Sequence, residues 1–198
     1  MSQPAPWHLR GTAALFVVPV PGHRLASSMI MLVRYRESPV GPYDELLWCR
    51  KRRVAGGKAW SVDPIVVDSA DSVAGGRDNW GFPKDLARFS VAESGSRISA
   101  TVFGDDGRVF ADIAYQARGL EVPVGSRLVP PGFTELVQER AGRVFRTRPK
   151  VKGRLRRLRV DRFDLAAPFP KLIKTDLRTA VGLSDFELDF PPAEVTSS

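Results

Sequence analysis

The sequence predicts a mainly β protein built on a closed or strongly curved sheet. Apolar and β-branched stretches recur between proline and glycine punctuation from Gly11 to Phe190. None of them sustains helical periodicity. In the middle of the chain, alternating strands are joined by hairpin-type connections, so the sheet there is antiparallel, and curling or closing it removes exposed edges. At 198 residues, 43% hydrophobic and 26% charged, the chain suits one globular domain spanning 1–198.

Residues 1–6 read as a loose N-terminal arm. Gly11–Val20 and Ser28–Arg36 are predicted strands, Tyr43–Arg52 a third and Trp60–Val67 a fourth. Asp68, Ser69 and Asp71 offer an N-cap and an acidic first turn, which predicts a helix over Ser69–Gly75 stopped by Gly75-Gly76. Pro83 presets φ for a first helical position, so Pro83–Ala87 is predicted as one short helical turn, with Lys84 held after the rigid residue. Arg88–Glu93, Arg97–Phe103 and Arg108–Gln116 form a meander through Ser94-Gly95-Ser96 and Gly104–Gly107. Pro130-Pro131-Gly132 breaks the chain, and Phe133–Arg140 fits a short helix or a strand. Arg143–Val160 reads as two strands around Gly153, Phe169–Arg178 as a modest helix, and Ser184–Phe190 as a final strand with Phe186, Leu188 and Phe190 on one face.

Charge and cysteine content narrow the function classes. Between Arg140 and Arg162 eleven lysines and arginines stand against one acid, Asp161, so this stretch carries +10 and the rest of the chain sums to −2, giving the net +8. Arg146, Arg148, Lys150, Lys152, Arg154 and Arg156 share parity and would lie on one face of an uninterrupted strand. Such a stripe suits an anion-attracting wall, a partner surface or a solvated face, and a barrel binding nucleic acid through 140–162 is the weakest of the readings. Aromatic interleaving is thin there, and no nucleic-acid module is recognisable. A single cysteine, Cys49, excludes an intrachain disulfide framework and fits a reducing, cytoplasmic compartment. No apolar run reaches membrane-spanning length, and Gly11–Val18 reads as a strand rather than an export signal. His8, His23 and Cys49 lack metal-ligand spacing, and the glycine pairs at 56–57 and 75–76 lack the context of a phosphate loop.

The chemistry points to the stretch from Gly75 to Phe89. It places Lys84 beside Trp80 and Phe82, between strand-like segments. A lysine in a dry cavity holds its charge at a cost, and an amine freed of its proton attacks a ketone to form a Schiff base. The bland alternative is a surface lysine laid along apolar neighbours. Gly76-Arg77, the aromatic-Pro-Lys at 82–84 and Leu86 resemble the catalytic segment of the acetoacetate decarboxylase family. Upstream, Gly41-Pro42-Tyr43-Asp44-Glu45 resembles that family's segment bearing an active-site glutamate. Downstream, Phe190-Pro191-Pro192-Ala193-Glu194-Val195 is similar to its last strand.

The resemblance implies a cone-shaped antiparallel β-barrel with a few short helices and the active site inside the cone. It implies that Lys84 forms the Schiff base and that Glu45 handles protons. Arg10 is the nearest counterpart of a family arginine that receives the substrate carboxylate, Arg77 sits beside the site, and Trp80 and Phe82 wall it. No cofactor is implied. The implied partner is a small oxo acid, and a homo-oligomer is compatible with the family's habits. Two departures stand out: Asp85 replaces a second lysine, and an acid partnering the arginine would fall near Ile30. The expected activity is that of a carbon–carbon lyase acting on a β-keto or other oxo acid. Aldol or dehydration chemistry from the same imine is equally accessible, and the alternative is a non-catalytic protein of this fold that binds a small hydrophobic carboxylate.

Overall fold

The structure, a computed structural model, describes residues 2–54, 57–125 and 135–197, with Arg24 described by its backbone alone. The chain opens with four long strands: β1 (Trp7–Val20), β2 (His23–Glu37), β3 (Tyr43–Val54) and β4 (Gly57–Val67). Helix α1 (Ala70–Trp80) follows, then a short β5 (Lys84–Leu86). The meander is β6 (Arg88–Ser94), β7 (Arg97–Phe103) and β8 (Val109–Gly125). Next come β9 (Leu136–Arg140), β10 (Arg143–Thr147), β11 (Lys150–Leu165) and β12 (Leu172–Ile173). The chain ends with β13 (Thr179–Phe190) and β14 (Glu194–Ser197). Among the described residues no helix is long and apolar enough to cross a membrane.

The fold is mainly β, as expected, but its hydrogen-bonded order runs β14-β10-β9-β4-β3-β2-β1-β13-β11-β8-β7-β6, with β5 on β4 and β12 on β11. The sheet does not close among the described residues, which corrects the expected barrel. Its two ends need no closure, because β14 is four exposed residues long and β6 is largely exposed and polar, two devices that blunt an edge. Pairing is antiparallel except for β4 with β5 and β9.

The middle of β1, β2 and β3 is buried on both faces. Their even-numbered residues Phe16, Ile30, Leu32, Leu46 and Trp48 pack with Val102 of β7, Ile113 of β8 and Phe163 of β11. Since β7 and β8 lie at the far end of the strand order, the sheet must bend over for these groups to meet. Phe16 marks the contact, with its ring 5.0 Å from Phe163 and 6.0 Å from Tyr115. The odd-numbered face carries Leu9, Val33, Tyr35, Leu47 and Cys49, which pack with Trp80 of α1, Phe82 and Phe186 of β13.

Several local expectations are corrected. The segment before β1 is not loose: Gln3 O accepts from Trp7 Nε1 and from Asn79 Nδ2, and Ala5 N donates to Asn79 Oδ1, tying it to α1. The strand break expected at Gly153 falls instead at Arg148-Pro149, because Gly153 lies inside β11 where a side chain would press on Leu183 and Phe186. Residues 169–178, read as a helix, hold β12 and a single 3-10 turn over Lys174–Asp176. β9 resolves the ambiguous 133–140 stretch as a strand from Leu136, while the break at Pro130-Pro131-Gly132 lies outside the described residues.

The basic stripe is divided. The break at Arg148-Pro149 and bulges at Lys152/Arg154 and Leu155/Arg157 interrupt its parity, and acids on β8, on β13 and just before β9 meet the cations. Arg148 pairs with Glu135 at 3.0 Å, Lys152 with Glu187 at 2.7 Å, and Arg154 and Arg156 with Glu121 at 3.6 Å. Exposed pairs of this kind add little stability each, yet they balance much of the charge locally.

Candidate active site

Ser69 caps α1 by accepting from Ser72 N, and the helix then runs through Gly75-Gly76 to Trp80 rather than stopping there. Its true stop is Gly81, left-handed at φ 66°, whose N–H bonds to Arg77 O while Phe82 N bonds to Gly76 O. The two inner glycines serve close approach: a side chain at 75 would strike the Trp7 ring, and one at 76 would fall 2.7 Å from Lys84 Cδ.

With the helix already capped, Pro83 does not start a new one. Lys84–Leu86 adds in parallel to β4, Ile65 opposite Lys84, and Ala87 N bonds to Val67 O at 2.9 Å. Alternation along β5 sends successive side chains to opposite sides. Lys84 points inward, its side chain 5% exposed, whereas Asp85 points out, 74% exposed, and binds Arg77 at 2.6 Å. The Asp85 carboxylate therefore faces away from the Lys84 amine. Arg77 also donates from Nε to the Lys84 carbonyl at 2.8 Å, clamping that backbone from outside.

Inside, Lys84 Nζ donates to Glu45 Oε2 at 2.6 Å and to Ser72 Oγ at 2.9 Å, and lies 5.2 Å from the Tyr43 ring centre. Glu45 and Tyr43 share a face of β3 as i and i+2, and Tyr35 lies opposite Tyr43 across the ladder. Tyr35 OH donates to the second oxygen of Glu45 at 3.3 Å. Burial, reinforced by the Glu45 charge, pushes both tyrosine hydroxyls well above their usual range, so they persist as proton donors.

These groups form the polar end of a cavity of about 290 Å³. Trp80 and Phe82 line it, and Trp80 is fixed by a 2.7 Å bond from Nε1 to Pro191 O and by Trp7 and Phe190 at 5.1 and 4.6 Å. Lys84, Glu45, Trp80 and Phe82 are thus brought together, with Arg77 behind the backbone. Arg10 is not: it is an even-numbered residue of β1 on the outer surface, 3.8 Å from Glu37 and 3.6 Å from Glu187. Ser72 and Tyr35 escaped sequence reasoning, although Ser72 stands four residues before Gly76 and hence on the same helix face. Among the described residues no three His, Cys, Asp or Glu side chains gather to hold a metal.

Two outcomes follow locally. Gly76→Ala is expected to displace the Lys84 stem and cut any Lys84-dependent activity about tenfold to a hundredfold while the protein stays folded; unchanged kinetics would mean the stem shifts at no cost. Burial also drives the Cys49 thiol from 9.0 up to about 12. The folded chain keeps a proton that the unfolded chain releases, so this contribution is intact below pH 9 and is lost as pH climbs toward 12. Stability is expected to fall there by up to about 1.4 kcal/mol per pH unit from this group. Denaturant titrations of Cys49→Ala at pH 8 and pH 11 should show a smaller drop than the parent, and an equal drop would refute the assignment.

Comparisons agree with this architecture. The sequence model of the family described as acetoacetate decarboxylase matches residues 24–160. No curated protein sequence matches the chain. Among solved structures, an acetoacetate decarboxylase from Legionella pneumophila aligns with TM-score 0.73 at 14% identity, covering 98% of this chain and 88% of that one. An acetoacetate decarboxylase-like enzyme from Sphingomonas wittichii RW1 aligns with TM-score 0.72 at 11% identity, over 98% and 94%. The enduracididine biosynthesis enzyme MppR complexed with pyruvate aligns with TM-score 0.68 at 12% identity, over 98% and 91%.

Proposed function

The chain belongs to the acetoacetate decarboxylase family, and from that premise we propose that it is a lyase in which Lys84 forms a Schiff base with a small oxo acid. The observation that carries the reading is a buried amine held between Glu45 and Ser72 at the polar end of an otherwise apolar cavity. Transfer of the shared proton to Glu45 frees the amine. The amine adds to the ketone carbon, Glu45 returns protons to the oxygen, and water leaves the iminium behind. The bond between the α-carbon and the carboxylate carbon then breaks, its electron pair forms the carbon–carbon double bond of an enamine while the carbon–nitrogen π pair moves onto nitrogen, and carbon dioxide departs. Protonation of the enamine carbon and hydrolysis release the ketone and restore Lys84.

Trp80 and Phe82 exclude water, and Ser72 orients the amine. The substrate carboxylate is received by the tyrosine hydroxyls rather than by Arg10. An apolar setting itself favours decarboxylation, because the charge in the reactant carboxylate is dispersed as neutral carbon dioxide forms. Pyruvate bound to MppR supports an oxo acid as the substrate class.

Borohydride reduction in the presence of acetoacetate and a panel of oxo acids, followed by peptide mass spectrometry, tests the reading. A substrate-derived mass on the Lys84 peptide is expected. A folded protein with no adduct across the panel would refute it. A second reading, a non-catalytic carboxylate binder, draws on the lining itself, where Lys84 and Glu45 are the charged residues among those described. Raised melting temperature with a ligand but no imine would favour that reading.

A further inference from the structure

The cavity extends well past the polar cluster at its end. Glu45 stands opposite Val33, and Val33 opposite Ala13. The next inward rung is Leu47, Met31 and Leu15, and the one after it pairs Cys49 with Met29. Four residues at ~3.3 Å each place the last rung about 13 Å from the level of Glu45. On the β4 side Ile65 lies opposite Leu47 and Val62 opposite Cys49, so the wall stays apolar along its length. Tyr35, Tyr43, Glu45 and Lys84 are buried, as is Cys49, whereas Leu15, Met29 and Met31 on the rungs and Trp60 beside them are partly exposed.

Resting on the imine reading of Lys84, we propose that the substrate carries an extended apolar chain beyond its ketone and that this chain lies along the Leu47–Met31–Leu15 and Cys49–Met29 rungs. The reacting end then meets Lys84 with its carboxylate toward Tyr35 and Tyr43, and the chain runs away from them along the rungs. Acetoacetate has one methyl group on that side and leaves both rungs unfilled. The two methionines suit an aliphatic chain, since their flexible thioethers conform to its shape. A hydroxylated or charged chain is disfavoured, because the rungs are aliphatic and thioether side chains with only the weakly hydrogen-bonding Cys49 thiol among them. Binding energy from the chain is available to hold the ketone against the amine.

The test measures kcat/KM and borohydride trapping for 3-oxobutanoate, 3-oxohexanoate and 3-oxooctanoate. An increase of about fourfold per methylene is expected. Trapping on Lys84 with kcat/KM flat or falling with length overturns the chain and leaves the imine reading standing. Should none of the oxo acids trap, the imine reading falls, and thermal shifts with butanoate, hexanoate and octanoate decide the chain: a shift that grows with length supports it, and an equal shift or none overturns it. Met31→Trp fills the Leu47–Met31–Leu15 rung and is expected to lower the octanoyl-to-butanoyl ratio, in rate or in binding, at least tenfold. Leu15→Trp provides the same reading from β1 should the first variant fail to fold, and an unchanged ratio overturns the assignment.

Discussion

Lys84→Met is expected to lose imine trapping and to lower kcat/KM on any oxo-acid substrate by on the order of 10⁴-fold or more, the scale seen when a covalent nucleophile is removed. Methionine resembles lysine in length and suits an apolar wall, so the cavity keeps its shape and the loss belongs to the amine. Lys84→Arg separates charge from nucleophilicity, because a guanidinium can still pair with Glu45 but stays protonated and forms no imine. Both variants should be inactive. Activity in Lys84→Met within tenfold of the parent would end the Schiff-base reading, and full activity in Lys84→Arg would reduce Lys84 to a charge. Glu45→Gln is expected to lose about 10² to 10⁴-fold as a proton carrier.

The second large effect is on stability. Lys84 and Glu45 are each 5% exposed and bond at 2.6 Å, so removing one strands the other in an apolar interior. Each single change, Lys84→Met or Glu45→Gln, is expected to cost about 3–5 kcal/mol in urea denaturation. The double variant should recover much of this, because two uncharged side chains leave no buried charge without a partner and glutamine still accepts from Tyr35. Costs that simply add, within about 0.5 kcal/mol, would mean that the two groups do not interact in solution.

The sequence made the strands legible where both turns and alternation were present, as in the meander from Arg88 to Gln116, which the structure reproduces as β6, β7 and β8. It failed where glycine and proline serve packing rather than punctuation. Gly75-Gly76 reads as a helix stop on local grounds, yet its lack of side chains lets Trp7 and Lys84 cross the helix, a contact that only the fold creates. Pro83 reads as a helix start, but Gly81 had already capped α1 and the edge of β4 was open to pairing. Lys84, Glu45, Trp80 and Phe82 were legible because motif and chemistry coincide on them. Tyr35 and Ser72 were not, since each gains its role from a neighbour ten or more residues away. Arg10 had the right residue type at roughly the right distance along the chain but the wrong parity on β1, and one residue along a strand turns a side chain to the opposite face.

Burial of β1–β3 on both faces also bears on how such a protein can change over time. Odd positions such as Leu15, Met29, Met31 and Leu47 line the cavity, and their even neighbours Phe16, Ile30, Leu32 and Leu46 belong to the opposite core. Selection for a new ligand and selection for foldability therefore fall on alternate letters of the same strands. A lineage can rewrite one set while the other holds the chain above its stability threshold.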